Sequence, residues 1–128
     1  MGTKVDIVLS IVAAEDSGQK DFEYNKTDSI TTLLENIGYR FKINDGVADY
    51  GLLPASPTLI DKACMIFIVA DSDDLKLKIS TSAGTGQNMN LMAGKPCLIQ
   101  SNDDILGVFV SNSSGAPITG RFFAAGAE

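Results

Sequence analysis

Histidine and tryptophan are both absent from these 128 residues, and cysteine occurs only twice. Without histidine, no Ser-His-Asp or Cys-His constellation and no His-containing zinc site can form. Histidine is also the usual general base near neutral pH, so acid–base chemistry would fall to carboxylates or lysines. The two cysteines, Cys64 and Cys97, have neither CxxC nor metal-ligand spacing and stand in apolar surroundings. They read as small core hydrophobes in a reducing compartment rather than as a disulfide. A basic face is missing too. Ten Lys and Arg are scattered among sixteen Asp and Glu, and a net charge of −6 disfavours nucleic acid as a partner. The apolar stretch at 5–14 is interrupted by Asp6 and Ser10, which makes it too short and polar for a membrane span and weak as an export signal. Met1-Gly2 resembles a myristoylation start, but Asp6 stands where Ser or Thr is expected. No membrane partner is expected.

The most informative scarcity is local. Residues 79–128 carry only five charged side chains, Lys95, Asp103, Asp104, Arg121 and Glu128. A folded chain normally keeps charge on its exposed faces, so this half reads as surface meant for a partner.

What is present is a globular chain: 45% hydrophobic, 20% charged, and long enough as one domain, 1–128, to bury roughly two thirds of its unfolded surface. Period-two alternation marks strands at 5–12, 22–24, 39–43 and 75–80, and Met65 to Ala70 is a continuous apolar run suited to a strand covered on both sides. Further strands are expected at 96–100, 105–111 and 118–124. One segment competes. Ile30, Leu33, Leu34 and Ile37 share helical spacing, with Asp28 or Ser29 as cap and Gly38 after the end, so a short helix is expected near 29–37. Thr27, Thr31 and Thr32 weaken it. Turns are expected at Asp45-Gly46 and Asp103-Asp104. Loops are expected at 52–57 (stiffened by Pro54 and Pro57), at the uncharged polar stretch 81–90, and at 112–117, which reads as a hairpin loop. Eight or nine short strands at such spacing argue for an all-β chain, a β-sandwich or jelly roll.

Candidate chemistry is thin. Asp71, Asp73 and Asp74 are oxygen ligands of the kind calcium prefers, but they lack the glycine and closing glutamate of an EF-hand and read as a solvated turn. Gly84-Thr85-Gly86 and Gly94-Lys95 lack the rest of a phosphate-binding loop. No cofactor is expected. The sequons at Asn25 and Asn112 matter only in a secreted eukaryotic context. In the last strand, adjacent Phe122 and Phe123 must point to opposite faces, Ile118 and Phe122 on one side, Thr119, Arg121 and Phe123 on the other. One face enters the core and the other needs covering, either within the monomer or by another subunit. Ile118, Arg121, Phe122 and Phe123 are therefore the candidate contact residues.

The segments Leu91-Met92-Ala93-Gly94-Lys95-Pro96 and Val108-Phe109-Val110-Ser111-Asn112-Ser113-Ser114-Gly115-Ala116-Pro117-Ile118-Thr119-Gly120-Arg121 carry a resemblance. An apolar-Ala-Gly-x-Pro turn is followed by a strand ending in Val-Ser-Asn-x-Ser-Gly and a final strand. This third of the chain resembles small β-rich structural proteins of tailed-bacteriophage particles, of the capsid decoration or cement type. The resemblance implies a virion protein without catalysis, made in the host cytoplasm, that forms a homo-oligomer, a trimer by preference, and binds the major capsid protein or another virion protein. A tail or fibre adaptor is the nearest variant. A carbohydrate-binding β-sandwich using Tyr24, Tyr39 or Tyr50 as stacking surfaces is the rival, with a small carboxylate enzyme behind it.

Overall fold

A computed structural model describes residues 3–14, 18, 20–53 and 62–127. Eight strands run through them: β1 (Thr3–Ala14), β2 (Lys20–Ile43), β3 (Tyr50–Leu53), β4 (Ala63–Ala70), β5 (Leu75–Thr81), β6 (Gly84–Leu91), β7 (Cys97–Ser111) and β8 (Ile118–Ala127). Every pairing is antiparallel. The long strand β7 belongs to two sheets: its first part, 97–100, pairs with β4, and from Ile105 onward it pairs with β5 and β3. One layer is thus β1-β2-β8-β4-β7 and the other β3-β7-β5-β6.

The pairs are nested along the chain. β2 pairs with β8, β3 with the second part of β7, β4 with its first part, and β5 with β6. One long antiparallel ladder folded over on itself in this way is a jelly roll, so the chain is a single all-β sandwich.

Alternation decides which side chains fill the middle. Along β8, Ile118, Phe122 and Ala124 point inward, opposite Ile43, Tyr39 and Ile37 of β2 and beside Ile68 and Ile66 of β4. Leu75 and Leu77 of β5 and Val108 and Val110 of β7 close the core from the other sheet. Tyr39 and Phe122 meet with ring centroids 5.6 Å apart and planes tilted by 58°, an arrangement that aromatic quadrupoles favour. Gly120 lets Phe41 and the Val69 carbonyl close on the backbone, since a Cβ there would collide with both.

Several sequence expectations are corrected. Residues 29–37 are not a helix; they lie within β2, where Ser29 and Ile30 pair with Asp6 and Val5 of β1. The β-branched threonines and the long ladder with β1 and β8 outweigh a helical spacing of four apolar residues. The stretch 81–90 is mostly strand β6, which among the described residues is an edge strand paired with β5 alone, and this explains its polar composition. Asp103 and Asp104 do not end a strand. They sit where β7 bends between the sheets, four residues (101–104) standing opposite the single Cys64 of β4. Ser82 clips this bend to the β5–β6 turn, its amide donating to the Asp104 carbonyl and its hydroxyl accepting from the Asp104 amide. Residues 112–117 join strands that do not pair, so they form an arch from one sheet to the other rather than a hairpin loop. The proline-rich 52–57 segment lies outside the described residues from Pro54 onward.

The arch is held by Asn112, 1% exposed and the one buried polar residue among those described. Its Nδ2 donates to the Ile43 and Ala116 carbonyls at 2.9 and 2.7 Å. Its Oδ1 accepts from the Ser114 amide and hydroxyl at 3.0 and 2.7 Å. Its backbone exchanges bonds with the β2–β3 connection, amide to the Val47 carbonyl and carbonyl from the Gly46 amide. All the capacity of this amide is used.

Candidate subunit-contact surface

The four candidate residues separate by face. Ile118 and Phe122, 0% and 1% exposed, are core side chains and present no surface to another subunit. Arg121 and Phe123 lie on the outer face of the first sheet. There Phe123 sits over Gly38 of β2, its Cδ2 3.2 Å from where a Cβ would stand, and beside Phe67 of β4. Arg121 stands directly opposite Arg40, with Lys42 two pairs further along. Like charges facing each other across a ladder are unfavourable, and among the described residues no carboxylate pairs with either arginine. Low charge in 79–128 also has an internal cause, because β7 and β8 run through the middle of the sandwich.

Sequence reasoning missed the main feature of this face, the β1–β2 arm. Cross-strand partners share a side, so Val5, Ile7, Leu9, Ile11 and Ala13 line up with Lys26, Tyr24 and Phe22 of β2 on one face. The other face mixes polar side chains with Val8 and Val12, which are 74% and 50% exposed. Ser29 and Ser10 donate from their hydroxyls to Asp6 Oδ1 and Asn25 Oδ1, and Asn25 donates onward to Glu23 at 3.0 Å. The inner end of the apolar face is used by the monomer: Val5 and Ile7 pack against Met65 and Ala125 beside Phe123. Beyond Ile7 the stripe runs on without cover. Leu9, Ile11, Phe22 and Tyr24 are 40%, 48%, 53% and 42% exposed. Together they leave roughly 400 Å² of apolar surface in water. Alongside lies an open groove of about 760 Å³ between β1 and the outer sheet face, floored by Phe67, Leu98 and Phe123. The alternation in 5–12 was legible, but only the ladder with β2 shows that half of it overhangs.

The opposite sheet has a second, smaller feature. Phe109 lies between Gly107 and Gly51, whose missing side chains leave its ring room against the sheet, and the Lys78 ammonium sits 5.9 Å from the ring centre. A groove of about 390 Å³ beside it is lined by Asp49, Lys76, Lys78, Asn88, Asn90 and Ser111.

The other sequence candidates are taken up locally. Asp71 Oδ2 accepts from the Thr119 hydroxyl and Asp74 Oδ1 from the Ala93 amide, while Asp73 is exposed in the same turn. Among the described residues no three carboxylates, cysteines or histidines gather as a metal site. Tyr39 is no stacking platform: its hydroxyl donates to the Leu52 carbonyl at 2.8 Å, and its pKa is pushed up to about 12, by burial first and by Tyr50 second. Tyr24 and Tyr50 are exposed. Cys64 and Cys97 are free thiols. Cys97 pairs with Ile68, four positions along β4 from Cys64, so the two stand about 13 Å apart, beyond disulfide reach. Burial raises the Cys97 pKa. The Asn112 sequon is buried with both amide hydrogens engaged, leaving no room for a glycan. Among the described residues no helix is long and apolar enough to cross a membrane. Comparison with models of known protein families and with curated protein sequences gives no match.

Proposed function

We propose that this chain is a non-enzymatic structural protein of a tailed-phage particle, of the capsid decoration type, which self-associates and binds the particle surface. The observation that carries the reading is the outer face of the first sheet with its arm: an apolar stripe, an apolar groove and an unpaired arginine couple on one side of a rigid sandwich. A protein that works by shape needs such a surface, and its many weak contacts add up across a shell. The phage assignment rests on the resemblance at 91–96 and 108–121. Those residues form the turn after β6, where Gly94 has φ +73°, and the Asn112 arch. They are fold-making positions, so the likeness supports a shared fold more strongly than a shared partner.

Quantitative mass spectrometry of purified particles tests the reading. A decoration protein appears in numbers near those of the major capsid protein, an adaptor in a few copies, and absence from particles ends the proposal. The groove lined by Asp49, Asn88, Asn90 and Ser111 favours one second reading, carbohydrate binding, because carboxylate, amide and hydroxyl groups gathered at one groove suit sugar hydroxyls. Glycan-array binding abolished by Asn88→Ala/Asn90→Ala would support it.

A further inference from the structure

We infer that the β1–β2 arm is exchanged between copies of this chain, the apolar stripe of one copy lying on the outer sheet face of another. This rests on the self-associating reading above and names the surface responsible.

Donor and acceptor are both present in one molecule. The arm's apolar face already suits the outer sheet face, because its inner end, Val5 and Ile7, packs there within the monomer. The outer end, Leu9 to Phe22, has the same chemistry and no cover, while Leu98 and Phe67 floor an open groove on the same sheet. Reach fits as well. From Leu9 to Ala14 the arm extends about 17 Å, and crossing from β7 over β4 and β8 to β2 takes about 14 Å. Area fits: a stripe of roughly 400 Å² given and a similar strip received approach the ~800 Å² per partner of a stable interface. Charge also fits. Arg40 and Arg121 face each other without a carboxylate between them, and another copy, with net charge −6, brings the opposite sign. Finally, a two-stranded ribbon alone in water is marginal, so an arm this apolar is stabilised by being covered. Apart from Leu9, which borders both, the stripe and the groove floor are different residues, so the contact closes either head-to-tail into a small ring or reciprocally into a two-fold pair.

The test uses the full chain and solution mass by light scattering. Wild type is expected to be oligomeric. The donor variant Ile11→Asp/Phe22→Asp and the acceptor variant Leu98→Asp each fall to monomer mass. Both keep the wild-type far-ultraviolet spectrum, since the replaced side chains are exposed. Mixing the two variants at high concentration regains association as a mixed pair, weaker than wild type because one stripe–groove contact forms instead of two, since each keeps the half that the other lost. Arg40→Glu/Arg121→Glu weakens association and removes part of its salt dependence. Arm exchange is overturned by variants that keep the wild-type mass, by a mixture that stays monomeric, or by a wild type that associates only when shells are added. Particle incorporation is read separately. A chain found in particles whose arm variants keep their mass refutes the arm and leaves the building-block reading standing; an arm-dependent oligomer absent from particles does the reverse.

Discussion

Replacing Asn112 by alanine removes four side-chain hydrogen bonds at the arch between the sheets. The consequences are unequal. The Ile43 carbonyl loses the partner that the buried amide gave it, which costs about 1–3 kcal/mol. The Ala116 carbonyl can take over the Ser114 hydroxyl proton, 2.9 Å away and released from Asn112 Oδ1, and the exposed Ser114 amide can turn to water. These remaining bonds are each worth about 0.5–1.5 kcal/mol, partly recovered. A total near 3–4 kcal/mol follows, which in a chain of this length lowers Tm by about 10–15 °C. Thermal unfolding followed by circular dichroism, with urea unfolding at unchanged slope, measures it. Asn112→Asp sharpens the test: it keeps the acceptor but loses both donors and places a carboxylate against two carbonyls. It should be less stable than the alanine variant at neutral pH. An alanine variant within about 1 kcal/mol of wild type, or an aspartate variant more stable than it, would refute the staple.

Phe122→Asp should abolish folding, because it puts a charge into a fully buried site, whereas Phe123→Asp should fold and change solution mass; equal loss of structure in both would place Phe123 in the core. Tyr39 should ionise above the ordinary tyrosine range in a spectrophotometric titration. Its pKa of about 12 lies above the unfolded value near 10, so its contribution to stability is complete below pH 10 and lost as pH rises towards 12. Tyr39→Phe should flatten that limb and cost about 1 kcal/mol at neutral pH. Gly120→Ala should cost at least about 3 kcal/mol or prevent soluble expression, since its Cβ meets Phe41 and the Val69 carbonyl. Gly84→Ala, with open space around it, should stay within about 1 kcal/mol in the same unfolding assay.

Sandwich architecture was legible because most core strands announce themselves by alternation or by an apolar run, as at 65–70 and 75–80. Topology was not, because nothing local distinguishes a hairpin loop from an arch at 112–117, or a turn from a bend at 103–104. Those choices are made by pairings far along the chain: β3 reaches β7, and β8 enters between β2 and β4. The false helix at 29–37 has the same origin. Four apolar residues at helical spacing are a local signal, and the β1 and β8 ladders, formed across the sheet, override it.

Low charge misled for a related reason. A segment without charge is one kept from water, and the sequence alone does not say whether its own fold or a neighbour keeps it so. For β7 and β8 the fold does: each has pairing partners on both sides, and Ile105, Val108, Val110, Ile118 and Phe122 fill the core. For β1 the opposite holds. Its apolar residues are interleaved with Asp6 and Ser10 and look like half of a covered strand, yet beyond Ile7 the fold supplies no cover. The surface that calls for a partner is therefore found by comparing hydrophobic pattern with burial. By that comparison it lies at the charged end of the chain, on the arm, with Phe123, Arg40 and Arg121 waiting on the sheet below.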